Sequence, residues 1–245
     1  MMDIVLEGRD LAFGVDGREL LQGLNLELRR GEIYAVLGPS GSGKSVLLKI
    51  LCGLLTPEKG STVIEGIDLA TATKEELQAI RVKMGFVFQD AALISNMSIY
   101  DNVALPLRYH TGLSESEIQT RVSEKMTLFE VDRKFDRSLP AQLSLGMRKQ
   151  VALARALVLE PALLFLDEPA TGLGAEAGRW IGGVLRSYQE KFQATLLLVT
   201  SEWVSASTLA DRIGFLERGR IVAEGTAQKM QAELKKMKPS DPTPK

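Results

Sequence analysis

Gly38-Pro39-Ser40-Gly41-Ser42-Gly43-Lys44-Ser45 places glycines, a lysine and a terminal hydroxyl in the spacing G-x-x-x-x-G-K-S. That arrangement suits a polyphosphate. The glycines let backbone N–H groups turn inward around phosphate oxygens, and a helix opening behind them adds its positive dipole end. Lys44 is placed to reach the β- and γ-phosphates, and the Ser45 hydroxyl to ligate Mg²⁺. A second reactive centre lies at Leu163-Leu164-Phe165-Leu166-Asp167-Glu168, an apolar run that ends in two carboxylates. Ligands of open α/β sheets bind beyond the carboxyl ends of strands. Asp167 suits the Mg²⁺ shell. Glu168 points elsewhere and can orient or deprotonate an attacking water. Together these motifs fit many nucleoside triphosphatases.

Such groups need a scaffold that brings them to one place. Alternation in "GLNLEL" predicts a half-exposed strand, whereas the continuously apolar "IYAVLG" predicts a central one. A helix is expected from Gly43 to about Leu55, stopped by Pro57. The strand Met84 to Phe88 leaves Gln89 at its end. About seventy mostly helical residues follow, with Ser98-x-x-Asp101 and Ser114-x-x-Glu117 as capping boxes and Pro106 expected to kink or end the first helix. Strand patterns return as "ALLFLDE", "ATLLLVT" and "RIGFLERGRIVAEG". Strands alternating with helices imply an α/β fold with a parallel sheet. The short N-terminal strands stand beside that sheet and the helical middle reads as an insertion. The expected division is one domain, 1–228, with a core of 1–89 and 161–228 and a helical subdomain of 90–160. A C-terminal helix and frayed tail, 229–245, follow.

The 245 residues are 45% hydrophobic and 25% charged, with a formal net charge of −1. No long-range field draws such a chain to nucleic acid or to an anionic membrane. The single cysteine, Cys52, excludes an intramolecular disulfide and a cysteine-cluster metal site, and its setting in "LLKILCGLL" predicts burial. No apolar run approaches the ~18 residues of a membrane span, and no secretory leader is evident. A cytosolic chain is expected, with any membrane role carried by a partner.

The order of motifs narrows the reading. A P-loop, the Gln89 turn, a helical region, "LSLGMRKQVALARAL" and then "LLFLDE" resembles the ATP-binding cassette (ABC) ATPases, up to about Thr226. The resemblance implies ATP and Mg²⁺ as ligands and two cassettes packed head to tail, as a homodimer. Each ATP then lies between one P-loop and the partner's Leu143-Ser144-Leu145-Gly146-Met147. Ser144 and Gly146, at the start of a helix, offer N–H groups and a dipole end to the γ-phosphate. Gln89 is implied to sense Mg²⁺ or the attacking water and to link the site to the helical region. An integral-membrane permease is the implied partner, holding the chain at the inner face of the membrane. The run "FVFQDAALISNMSIYDNVALPLRYHT" resembles the Mce/Mla lipid-transport ATPases, which implies a lipid or other hydrophobic substrate and an MCE-type substrate-binding protein. His110, inside that run, is expected on the surface.

Four positions depart from the family pattern. Ser201 stands where a switch histidine is usual, Leu145 where the signature has glycine, and Gly174 where an aspartate bridges cassettes. Val15 holds the register of the adenine-stacking aromatic, with Phe13 expected to face the core. Phosphate- and Mg²⁺-binding groups are retained while groups that complete the closed site are altered. The expectation is ATP binding with slow or partner-dependent hydrolysis. Two classes of function fit: an energy-coupling ATPase, and a nucleotide-gated regulatory subunit with negligible turnover. Glu168 favours the first, since a pure binding module needs no catalytic carboxylate. Soluble ABC proteins of repair or translation are a third reading, but their paired cassettes or long coiled-coil inserts are not seen.

Overall fold

The computed structural model describes residues 3–236. Two antiparallel strands open the chain, β1 (Ile4–Val15) and β2 (Arg18–Arg29), followed by β3 (Ile33–Leu37) and α1 (Lys44–Leu51). Next come β4 (Lys59–Ile64), β5 (Ile67–Asp68), α2 (Lys74–Val82) and β6 (Met84–Val87). Three helices intervene, α3 (Ile99–His110), α4 (Glu115–Leu128) and α5 (Leu145–Leu157). The remainder alternates: β7 (Leu163–Asp167), α6 (Ala175–Phe192), β8 (Thr195–Thr200), α7 (Trp203–Leu209), the hairpin β9 (Arg212–Glu217) and β10 (Arg220–Gly225), and α8 (Ala227–Lys236).

The strands form two sheets. The antiparallel one has the order β2-β1-β4-β5, and the larger one the order β10-β9-β3-β8-β7-β6, parallel except at β10. Every residue of β3, β7 and β8 is buried, which explains their unbroken apolar runs. Alternate side chains enter different cores. Ile33, Ala35, Leu164, Leu166, Leu196 and Leu198 pack with helices α3 to α7, while Tyr34, Val36, Phe165 and Leu197 pack with α1 and the antiparallel sheet. β2 has only one such neighbour, so Leu24, Leu26 and Leu28 are buried while Asn25 and Glu27 are exposed.

Several local expectations are corrected. α1 ends at Leu51, before Pro57, because Gly53 turns left-handed (φ 73°) and the Leu54 and Leu55 N–H groups fold back to the Lys49 carbonyl. Pro106 does not end α3, which continues to His110. Ser114 and Glu117 form the reciprocal box. Ser98 caps the Asp101 N–H, but the Asp101 carboxylate turns to the Ser98 hydroxyl and to Arg108 instead. α2 was not foreseen. Thr73 and Glu76 box its start, yet only Ile80 is buried, so no apolar period announces it. Cys52 is buried, which pushes its thiol up to about 12. His110 is exposed. The expected C-terminal helix corresponds to α8, and the tail, 237–245, lies outside the described residues.

One buried amide ties the loop beyond Gln89 to α3. Asn102 is fully buried, accepts the Ile94 N–H at 2.8 Å and donates to the carbonyls of Ile94, Met97 and Ser98. Asn102→Ala removes four hydrogen bonds and leaves the Ile94 N–H without its partner, and is expected to cost about 1–3 kcal/mol of stability. Chemical denaturation measures this, and an unchanged midpoint would contradict the bonding described.

Candidate functional site

β3, β8, β7 and β6 are successive parallel neighbours, so the segments that follow them share one sheet edge. The P-loop follows β3, Ser201 follows β8, Asp167 and Glu168 end β7, and Gln89 follows β6. With strands ~4.8 Å apart, the outer two of these segments stand roughly 14 Å from each other. Sheet order alone therefore gathers four motifs separated by more than a hundred residues of sequence.

The loop 38–45 needs its glycines for backbone reasons. A Cβ on Gly38 would sit 2.4 Å from the Leu216 carbonyl oxygen, and Gly43 has a φ of 99° with Leu20 O 2.9 Å from a Cβ position. Pro39, Ser40 and Gly41 are exposed at the loop's crest. The Ser42 hydroxyl is buried without a hydrogen-bond partner. The Lys44 ammonium is buried, donates to the carbonyls of Gly38 (2.9 Å) and Pro39 (3.0 Å), and lies 3.9 Å from the Glu168 carboxylate. Burial pulls it below the usual lysine range, opposed by Glu168 and Asp167.

Ser45 donates to Asp167 Oδ1 at 3.0 Å. Burial raises the Asp167 carboxyl above its ordinary range, and the Ser45 hydroxyl only partly offsets this. Glu168 is held more tightly still. Oε2 accepts the hydroxyls of Thr171 and Thr200, the latter at 3.1 Å, and Oε1 accepts the Ser201 N–H at 2.8 Å. The backbone of Glu168 is left-handed (φ 47°), unusual for a residue with a side chain, and its N–H is pinned to Val199 O at 2.9 Å.

Ser201 thus meets Glu168 through its backbone, while its side chain is exposed. Gln89 is exposed in the turn beside the Asp167 strand. Ser144 and Gly146 are not gathered with the P-loop. Ser144 caps α5 by accepting the Met147 N–H at 3.3 Å, and both residues line a separate open depression of ≈ 560 Å³ with Leu173 and Trp180. Leu145 is 42% exposed beside them. Gly174 has φ 84° and ψ 162°, a region essentially reserved for glycine, so the backbone itself disfavours an aspartate there. Val15 is exposed, and Phe13 packs partly against the core shared by the antiparallel sheet and α1.

These residues fit a triphosphate and a divalent cation. The unpaired Ser42 hydroxyl, the inward-turned loop and Lys44 offer donors to phosphate. No cluster of three His, Cys, Asp or Glu side chains exists among the described residues. The cation is instead offered one hydroxyl and one carboxylate, which suits Mg²⁺ because it keeps waters and shares phosphate oxygens. The sequence reading missed Thr171, Thr200 and Lys149. The last is a buried lysine whose ammonium donates to the carbonyls of Glu168 (2.8 Å) and Thr171 (2.7 Å).

The chain is similar to known proteins over most of its length. Residues 21–171 match the ABC transporter family. The chain is 39% identical to the "probable ribonucleotide transport ATP-binding protein mkl" of Mycobacterium leprae, over 91% of this chain and 64% of that protein. It therefore spans a little under two thirds of that relative's length. It is 34% identical to the "intermembrane phospholipid transport system ATP-binding protein MlaF" of Haemophilus influenzae, over 92% of this chain and 85% of that one. Its fold is similar to an ATP-binding cassette solved as a dimer with ADP and Pi, at 31% identity and a TM-score of 0.84, covering 91% and 98% of the two chains.

The raised Asp167 carboxyl has a measurable consequence. A folded-state pKa above the unfolded value means that ionised Asp167 costs stability at neutral pH, a cost that disappears as pH falls through that pKa. Asp167→Asn keeps an acceptor for Ser45 and removes the charge. Its unfolding midpoint without ligand is expected to exceed the parent's at neutral pH, the gap closing in acid. An Asn variant less stable than the parent at neutral pH would contradict the burial argument.

Proposed function

The chain belongs to the ABC transporter family as one of its ATP-binding cassettes, and from that premise we propose that it hydrolyses Mg-ATP to drive a membrane permease. The observation that carries this reading is the cluster of buried Lys44, Asp167 and Glu168 with half-buried Ser45 at one sheet edge. In the proposed cycle, Lys44 leaves the P-loop carbonyls for the β- and γ-phosphates, and backbone N–H groups of 38–45 surround them. Ser45 and Asp167 hold Mg²⁺, with Gln89 alongside. When bound, Mg²⁺ neutralises charge on the phosphates during displacement. Glu168, fixed by Thr200, Thr171 and the Ser201 N–H, takes the proton of the attacking water.

The second half of the site comes from a second copy of the chain. Ser144 and Gly146 line a depression that contains no P-loop residue, and the free N–H groups of an α5 N-terminus suit a γ-phosphate supplied by another cassette. Residues 90–160 form the helical subdomain that receives the permease, with the core in 1–89 and 161–228. No helix among the described residues is long and apolar enough to cross a membrane. Attachment is proposed to go through the permease. A lipid or similarly hydrophobic substrate, delivered with an MCE-type protein, follows from the run 86–111 and from the relative named for phospholipid transport. The ribonucleotide named for the mycobacterial relative is the competing substrate. Mass spectrometry of lipids and proteins co-purified from membranes with the chain separates the two.

Turnover is proposed to be slow or partner-dependent. Ser201 gives Glu168 a backbone N–H but directs no imidazole at the γ-phosphate, Gly174 offers no bridging carboxylate, and Leu145 crowds the signature. A nucleotide-gated regulatory role is the second reading. The three donors to the Glu168 carboxylate argue against it, because a binding module gains nothing from so fixed a carboxylate.

Three variants test the proposal. Lys44→Ala is expected to abolish measurable ATP binding in calorimetry, and undiminished affinity would remove the P-loop role. Glu168→Gln is expected to trap an ATP-bound dimer in size-exclusion chromatography with the permease present, whereas parent-like hydrolysis by that variant would exclude Glu168 as the base. One lost donor to transition-state charge costs roughly 10²–10³ in rate. Ser201→His is expected to recover part of that factor in kcat without comparable tightening of ATP binding. A histidine variant no faster than the parent would show that Ser201 does not limit turnover.

A further inference from the structure

Lys149 is 2% exposed, and its charge serves no step described above. Burying an ammonium is costly unless it is fully bonded, and an apolar side chain of similar length would pack in its place without that cost. The lysine spends its charge on two carbonyls only, Glu168 O and Thr171 O, at the ends of the turn that gives Glu168 its left-handed backbone. The same turn carries the Thr171 hydroxyl that holds the Glu168 carboxylate. Lys149 therefore fixes the catalytic carboxylate from behind.

Its place on α5 gives this contact a direction. Lys149 lies three residues beyond Gly146 and five beyond Ser144, about one helical turn from the N-terminus proposed to meet the partner's nucleotide. Farther along α5, Arg155 donates to the carbonyls of Ala91 and Ala92, each at 2.9 Å, in the loop after Gln89. Both alanines have positive φ, so that loop is also held in a costly conformation. One rigid helix thus grips both the Glu168 turn and the Gln89 loop by their backbone oxygens.

We infer that Lys149 is a positioning residue that ties the α5 N-terminus, the segment proposed to meet the partner's ATP, to the turn that holds Glu168 in its own site. The inference rests on the proposed head-to-tail dimer. It gives the two ATP sites a path of coupling, because a shift of α5 on the partner's nucleotide is passed through Lys149 to the turn that carries Glu168.

The test uses the full chain in complex with its membrane partner and compares Lys149→Met, Lys149→Gln and Glu168→Gln. Misplacing a reacting group by about 1 Å can cost roughly 10²-fold. Lys149→Met is expected to lose about that much in single-turnover hydrolysis and to bring the Hill coefficient for ATP towards one. Its ATP affinity by calorimetry should stay within about twofold of the parent, since no phosphate contact is removed. Lys149→Gln keeps a neutral donor on a shorter stem and is expected to fall between. Should the Met variant fail to fold, the Gln variant carries the same reading. A merely structural role lowers the unfolding midpoint but leaves rate and Hill coefficient at parent values well below it, and that result overturns the inference. If Glu168→Gln is inactive while the Lys149 variants match the parent, only the coupling falls. If Glu168→Gln turns over normally, the assignment of Glu168 falls and the coupling with it.

Discussion

Two carboxylates, Asp167 and Glu168, end a fully buried strand side by side, and the surrounding fold is arranged to make that tolerable. Adjacent like charges out of water repel and lose solvation together. The compensation comes from different parts of the chain: Lys44 and Ser45 from the P-loop and Thr200 and the Ser201 N–H from the end of β8 reach the carboxylates, while Lys149 of α5 holds the Glu168 backbone carbonyl. Each donor reaches the pair only because β8 lies between β3 and β7 and because α5 packs across the helical side of the same sheet. A different strand order would leave the carboxylates without partners.

The arrangement is adapted to bind charge. Asp167 is held above the ordinary carboxyl range by burial, and Lys44 below the ordinary lysine range. Both shifts record a site whose charged forms are incompletely satisfied by protein alone. On the proposed function, a triphosphate with a divalent cation would supply what is missing to both and would link ligand binding to folding stability at one sheet edge. Glu168, by contrast, already accepts three hydrogen bonds from its own chain, one of them on Oε1. On the proposed function, the site divides into a half that awaits ligand and a half preorganised for proton transfer.

How much of this was legible in the sequence follows from which signals are local. The P-loop spacing and the two carboxylates at a strand end are local, and both motifs lie at the shared edge. Unbroken apolar runs in β3, β7 and β8 announced a central sheet because each strand serves two cores. Lys149 gave no such signal. It sits among Arg148 and Gln150 and looks like one polar residue of an exposed helix face, and only packing of α5 against the β7–α6 turn buries it. Thr200 ends the apolar run "ATLLLVT", and nothing in that run marks its hydroxyl as a donor to Glu168. The substitution at Gly174 was visible as a missing carboxylate, but its cause was not, since only the backbone shows a conformation closed to aspartate. α2 went unseen because one buried residue cannot make a periodic pattern.

The central claim is that each nucleotide lies between the P-loop of one copy and the α5 N-terminus of another. Cysteine cross-linking tests it directly, because Cys52 is buried with its thiol pushed up to about 12 and contributes little background. Mixing full-length chains that carry Ser40→Cys with chains that carry Leu145→Cys, under mild oxidation, reports whether those two surfaces meet. The account predicts an inter-chain disulfide between the two variants that forms with Mg-ATP and not without it, and none when either variant is oxidised alone. Absence of that cross-link in samples shown by calorimetry to bind ATP, or its formation at the same rate without nucleotide, would contradict the account.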